Sequence, residues 1–305
     1  MKATKIISAC AVLAALASCS NEHELSQQSA EDTPIRIQAN VGGITTRAAH
    51  NLLADIFSNG DAINVYITEN TTNKTTSSGG TYTPMVYTLN GSSFEPQTTQ
   101  YFPSNGNGID VWAVYPSTVT ESSTEFTIEA DQTADANYKN SDLMFATKLE
   151  NKGKNDNINL SFTHQLSKII VKLDKEAGVD GDLTGAVIKL TNVVKKTALT
   201  VSGDGITLGD LSAVAGDNGE LTIGTYDATN GTAAIVIPQS TTSMQFKVKL
   251  DNGGSYTAAM PNNTTAFAAN TEYTFKLTLK ANKISISADI NPWTKATDSG
   301  NATLD

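Results

Sequence analysis

The sequence predicts an all-β protein, two β-sandwiches in tandem behind an N-terminal export signal. Three observations predict it. Short runs alternate apolar with polar residues along most of the chain, turn residues separate those runs, and no long stretch carries the apolar repeat of an amphipathic helix.

The export signal comes first. Lys2 and Lys5 precede an apolar run from Ile6 to Leu16 that is too short to span a bilayer, as a secretory signal requires. The run ends in Leu16-Ala17-Ser18-Cys19, which resembles the lipobox of bacterial lipoproteins. That resemblance implies a signal peptide over 1–18, a cut before Cys19, lipidation of its thiol and attachment to a membrane. The following Ser20-Asn21-Glu22-His23-Glu24 is similar to the acidic tags that send some lipoproteins of Bacteroidetes to the outer face of the outer membrane.

The strand signals then follow in order. Ile35-Arg36-Ile37-Gln38-Ala39-Asn40-Val41 alternates cleanly and stops at Gly42-Gly43. Ile63, Val65 and Ile67 alternate next, then Ile169, Val171 and Leu173, Phe246, Val248 and Leu250, and Tyr273, Phe275, Leu277 and Leu279. Ile284, Ile286, Ala288 and Ile290 complete the series. Turns are expected at Asn59-Gly60-Asp61, Asn90-Gly91, Gly203-Asp204-Gly205 and Asp251-Asn252-Gly253-Gly254. A short helix or an ordered loop is expected between Ala130 and Met144. The polar stretch 150–157 reads as a boundary, giving an N-terminal sandwich over 48–155 and a C-terminal one over 156–305, behind a tether and first strand over 19–47.

Composition narrows the function. Lys plus Arg number 21 against 31 for Asp plus Glu, so nucleic acid is not an expected partner. Cys10 falls in the signal and Cys19 is the lipidation site, which leaves no thiol for a disulfide, a thiolate metal site or a nucleophile. His23, His50 and His164 show no metal-ligand spacing, and Asp180-Gly181-Asp182 and Asp204-Gly205 lack the spaced oxygens of a calcium loop and read as turns. Trp112, Tyr115 and Trp293 read as strand-core aromatics, with a sugar-stacking platform as the alternative. No cofactor, metal or enzymatic activity is expected.

Several segments in order resemble the fimbrillins of Bacteroidetes, which build type V pili or decorate them. These are Asn59-Gly60-Asp61 running into Tyr66, Tyr101-Phe102-Pro103, Ile109 to Pro116, Ser141 to Ala146, Leu160 to Lys168, Ala234 to Gln239 and the closing Ile290-Asn291-Pro292-Trp293. The resemblance implies two transthyretin-like sandwiches and a structural role. It also implies maturation by an arginine-specific protease that removes the first strand, here by a cut between Arg47 and Ala48. Arg36 and Arg47 are the only arginines in the chain.

Loss of Ile35, Ile37, Ala39 and Val41 is expected to open a groove, which a strand from a neighbouring subunit fills by β-augmentation. Ile284, Ile286, Ala288 and Ile290 are the candidate donor, and the same residues equally suit an ordinary last strand. Expected partners are other fimbrial subunits, the protease, the outer membrane through the lipid, and a host or bacterial surface ligand. A surface lipoprotein that binds glycans or host proteins, or an uncleaved anchor subunit, is the alternative.

Overall fold

The computed structural model describes residues 33–41, 44–45, 57–72, 82–228, 231–281 and 283–293. Strands dominate them. The first group runs β1 (Ile37–Val41), β2 (Ile44–Thr45), β3 (Ala62–Asn70), β4 (Met85–Asn90), β5 (Ser93–Pro96), β6 (Gly108–Tyr115) and β7 (Glu125–Thr127), then helix α1 (Asp135–Ser141), β8 (Met144–Lys152) and β9 (Ile158–His164). The second runs β10 (Ser167–Lys175), β11 (Val187–Thr191), β12 (Lys196–Ser202), β13 (Gly205–Ser212), β14 (Leu221–Thr225), β15 (Thr232–Val236), β16 (Gln245–Lys249), β17 (Ser255–Ala259), β18 (Thr271–Lys280) and β19 (Lys283–Pro292).

The first sheet closes on itself. Its order is β2-β1-β5-β4-β3-β6-β8-β9, and β1 also pairs with β9, so β1 joins the two ends of the sheet. Inward side chains of these strands form one core, including Ile63, Val65, Tyr87, Val111 and Phe162. Tight turns demand glycine where φ is positive, as at Gly60 (91°) and Gly91 (66°), which ends the β4–β5 hairpin.

The second core is a sandwich. Sheet β15-β10-β18-β19 faces sheet β14-β11-β16-β17, and Ile169, Leu190, Ile223, Phe246 and Phe275 fill the space between them. A small sheet, β13-β12-β7, lies apart from both. The third core unites the halves: Tyr66, Trp112, Val114 and Phe145 from the first sheet meet Leu199, Val201, Ala233, Ile235 and Trp293. Because β15 packs one face into the sandwich and the other into this shared layer, all five of its residues are buried.

One sequence expectation meets different structure. The stretch 150–157 lies in the hairpin between β8 and β9, where the Gly153 N–H donates to Asp156 Oδ2 (2.8 Å), and β9 pairs within the first sheet. The chain crosses to the sandwich one strand later, between His164 and Ser167, and the described residues hold together as one unit. Turn composition marks a hairpin as readily as a boundary. The region 130–144 does hold a short helix, α1, whose Lys139 reaches back to Asp61 at 2.8 Å.

Candidate functional site at the first strand

The alternation of residues 35–41 has a direct structural result. Ile35, Ile37, Ala39 and Val41 are buried inside the closed sheet, while Arg36 and Gln38 face solvent. Residues 37–41 pair in parallel with Ile158 to Phe162 of β9. On the opposite side Ile37 pairs with Phe94 of β5, and the Ile35 N–H donates to the Gln100 carbonyl (2.8 Å). The first strand is therefore hydrogen-bonded along both edges, yet it is joined to the domain only by side contacts and one connection.

Its floor is aromatic. Phe57 meets Phe94, Tyr115 and Phe162 edge-on, with ring centroids 5.3, 5.5 and 5.2 Å away. At the upstream end a cleft of about 710 Å³ opens beside Pro34 to Gln38, between the β5 residues Phe94 to Pro96 and the turn Lys154–Asn157. The cleft exists because β9 begins pairing only at Ile37, so the strand edge before it has the hairpin turn, not a ladder, as neighbour. In the sequence Phe57 and Phe94 carry only the generic signal of apolar residues near turns, whereas Phe162 lies in the stretch Leu160 to Lys168.

The C-terminal strand lies elsewhere. β19 runs antiparallel to β18 over ten residue pairs and is the edge of its sheet. Ile284, Ile286 and Ala288 are half-buried against the sandwich core, and Ile290 is 46% exposed. Just beyond it Trp293 is 3% exposed, stacked on His164 with centroids 3.5 Å apart and planes 4° from parallel. Asp142 Oδ1 holds His164 Nδ1 at 2.8 Å, Lys168 Nζ lies 5.8 Å from the Trp293 ring centre, and the backbone N–H of Trp293 donates to the Asn270 carbonyl (2.9 Å). Trp293 thus pins the end of β19 where β9 leaves the first sheet.

The fold is similar to that of solved proteins. The sequence profile of the fimbrillin-like family matches residues 46–293. The chain belongs to that family. A protein named for cell adhesion from Bacteroides uniformis ATCC 8492 has a TM-score of 0.64 at 24% identity, with 86% of this chain and 100% of that one covered. Another from Bacteroides ovatus ATCC 8483 has a TM-score of 0.64 at 19% identity, with 86% and 98% covered. These likenesses concern the fold. No curated protein matches the sequence. Fimbrillin-like proteins are structural components of cell-surface fimbriae.

In this fimbrillin-like chain the remaining candidates sort simply. Cys19, Arg47 and Ala48 lie outside the described residues, as do His23 and His50. Trp112 and Tyr115 are buried, Trp112 stacking on Tyr66 at 3.9 Å, so neither offers a face to a sugar. Among the described residues no group of His, Cys, Asp and Glu is placed to hold a metal ion.

One ionisable group bears on the first strand. Tyr87, fully buried on β4, has its phenol pushed up to about 12 by burial, with Tyr82 adding to it. Its hydroxyl reaches Gln100 Oε1 at 3.5 Å, on the residue whose carbonyl receives the Ile35 N–H. A raised folded-state value favours the protonated phenol, so this stabilisation is complete below about pH 10 and is lost as pH rises through about 12. At 1.36 kcal/mol per unit it is worth up to about 2.7 kcal/mol. Urea midpoints measured across this window should fall, and in Tyr87→Phe the fall should be smaller by that contribution; an unchanged slope would refute the assignment.

Proposed function

We propose that the chain is a fimbrial subunit contributing to adhesion, exported as an outer-membrane lipoprotein through Cys19, cut between Arg47 and Ala48 by an arginine-specific protease, and assembled by donor-strand exchange. The observation that carries this reading is a repeat. The buried residues of the first strand are Ile35, Ile37, Ala39 and Val41, and the matching row on one side of β19 is Ile284, Ile286, Ala288 and Ile290, the first three packed against the sandwich core. Two large residues, a small one and a large one follow in the same order at the same spacing. A groove shaped for the first therefore fits the second.

Burial sets the direction of exchange. In its own sheet β19 leaves these side chains half-buried or, at Ile290, largely exposed, whereas the groove buries Ile37 completely. Transfer gains on the order of 1 kcal/mol per large side chain, and a new ladder with β9 replaces the one with β18. Against it stands Trp293, whose withdrawal from a full contact costs about 3–5 kcal/mol until it is buried again. An uncut subunit keeps both strands at home. The family match begins at Thr46, beyond the strand proposed to leave. The ten-residue β18 ladder and the seated Trp293 favour a second reading, an uncleaved anchor subunit that holds its lipid and its first strand.

Cross-linking tests the exchange. Gln38 pairs with Asn159, and the repeat puts Ser287 in the place of Gln38. Both Asn159 and Ser287 are exposed, so cysteines there are tolerated. After cleavage, Asn159→Cys with Ser287→Cys should give intermolecular disulfides in assembled material, and each single variant should give none bridging these strands. Assembly without that link would exclude this donor and register.

A further inference from the structure

Arg36 is the one arginine inside the first strand, and the repeat carries Ser285 in its place on β19. The two strands are alike inward and differ outward at the one position an arginine-specific protease reads. This difference matters after the first strand leaves. A released strand that matches the donor side chain for side chain competes with it for the same groove.

We infer that the Arg36–Ile37 bond is a second cleavage site, closed while the strand is seated and open once it is released, whose cutting makes release irreversible. The inference rests on the proposed cut after Arg47. In the folded chain the Arg36 side chain is exposed but its backbone is not free: Ile35 donates to Gln100, Ile37 pairs with Phe94 and Ile158, and both neighbours are buried. A protease takes several residues on either side of the bond in extended form along its own cleft, so it acts here only on the opened strand. The cleft beside Pro34 to Gln38 leaves the guanidinium in reach without freeing the backbone.

Hydrolysis consumes one water: the Arg36 carbonyl carbon takes the hydroxyl and becomes a carboxylate, and the Ile37 nitrogen takes the protons and becomes an ammonium. Ile35 is parted from Ile37, Ala39 and Val41, and the new charge sits on a residue that is 0% exposed when seated. Reseating would bring that ammonium back without Ile35, so the cut strand lacks one buried side chain and the bond to the Gln100 carbonyl that the intact strand makes. The donor, with Ser285 there, passes the same protease uncut.

The test uses three chains and one peptide. The Arg47→Ala chain, folded and intact, is treated with an arginine-specific protease beside a synthetic peptide of residues 33–47, and cutting at Arg36–Ile37 is timed by mass spectrometry. The folded chain should be cut at least about a hundredfold more slowly than the peptide; equal rates would overturn the inference whatever happens at Arg47. In the wild type, a chain beginning at Ala48 should appear before fragments ending at Arg36. In Arg36→Lys the released strand should stay whole and assembly should slow, with added intact strand slowing it further. Assembly at wild-type speed beside an uncut released strand would overturn the inference, whereas a wild type uncut at Arg47 would overturn the maturation reading alone.

Discussion

Treated with an arginine-specific protease, the wild-type chain should acquire an N-terminus at Ala48 and form ladders of oligomers, while Arg47→Ala remains a monomer under the same conditions. The expected difference is all or none, because the cut changes an intramolecular contest into an intermolecular one. While the strand is tethered its effective concentration at the groove far exceeds that of any neighbour's strand; once severed, it dissociates and competes as a free peptide. The four inward residues make the vacated groove worth about 4–8 kcal/mol, a large part of the stability of a domain. Unboiled gels and electron microscopy read the outcome. Arg47→Ala should unfold within about 0.5 kcal/mol of wild type, so a failure to assemble is not a failure to fold. Equal assembly by both chains would refute the mechanism, and so would a cleaved wild type inert both alone and mixed with a cognate major subunit.

Ile37→Asp should have the largest effect on the uncut chain. Ile37 is fully buried and is the one residue of the strand that pairs with both β5 and β9. The change removes about 1.5–3 kcal/mol of apolar burial and places a carboxylate in a core with no partner for it, so a loss of about 4 kcal/mol or more is expected. Gln38→Asp is the control, on the same strand but facing water, where the change should stay within about 0.5 kcal/mol. Urea unfolding followed by tryptophan fluorescence measures both. Similar shifts in the two variants would mean that the strand contributes little to the closed sheet.

How much of this was legible depended on what each strand faces. The first strand and β19 alternate because one side of each meets a core and the other meets water, and a period of two records that contrast. β6 and β15 are buried on both faces, so their sequences read only as apolar runs and gave no partner or orientation. The stretch 150–157 misled because hairpins and boundaries draw on the same residues. His164, Asp142 and Trp293 are far apart in sequence, and no local pattern announces a stack that forms only when β9 and the end of β19 meet. The repeat of Ile, Ile, Ala and Val or Ile was written plainly in the chain. It gained meaning only when burial showed which row of each strand faces inward.

The parallel pairing of β1 with β9 has a mechanical consequence for any strand that takes its place in the same direction. Such a strand lies alongside its neighbour like the overlap of two boards glued face to face, with five residue pairs in register. A load applied along the strand strains all those bonds together, as shear, whereas a load at right angles would peel them one at a time from the end. A filament built from this joint would be strong in tension along its axis and weak against sideways prying, and flow over a tethered cell pulls in the first of these directions.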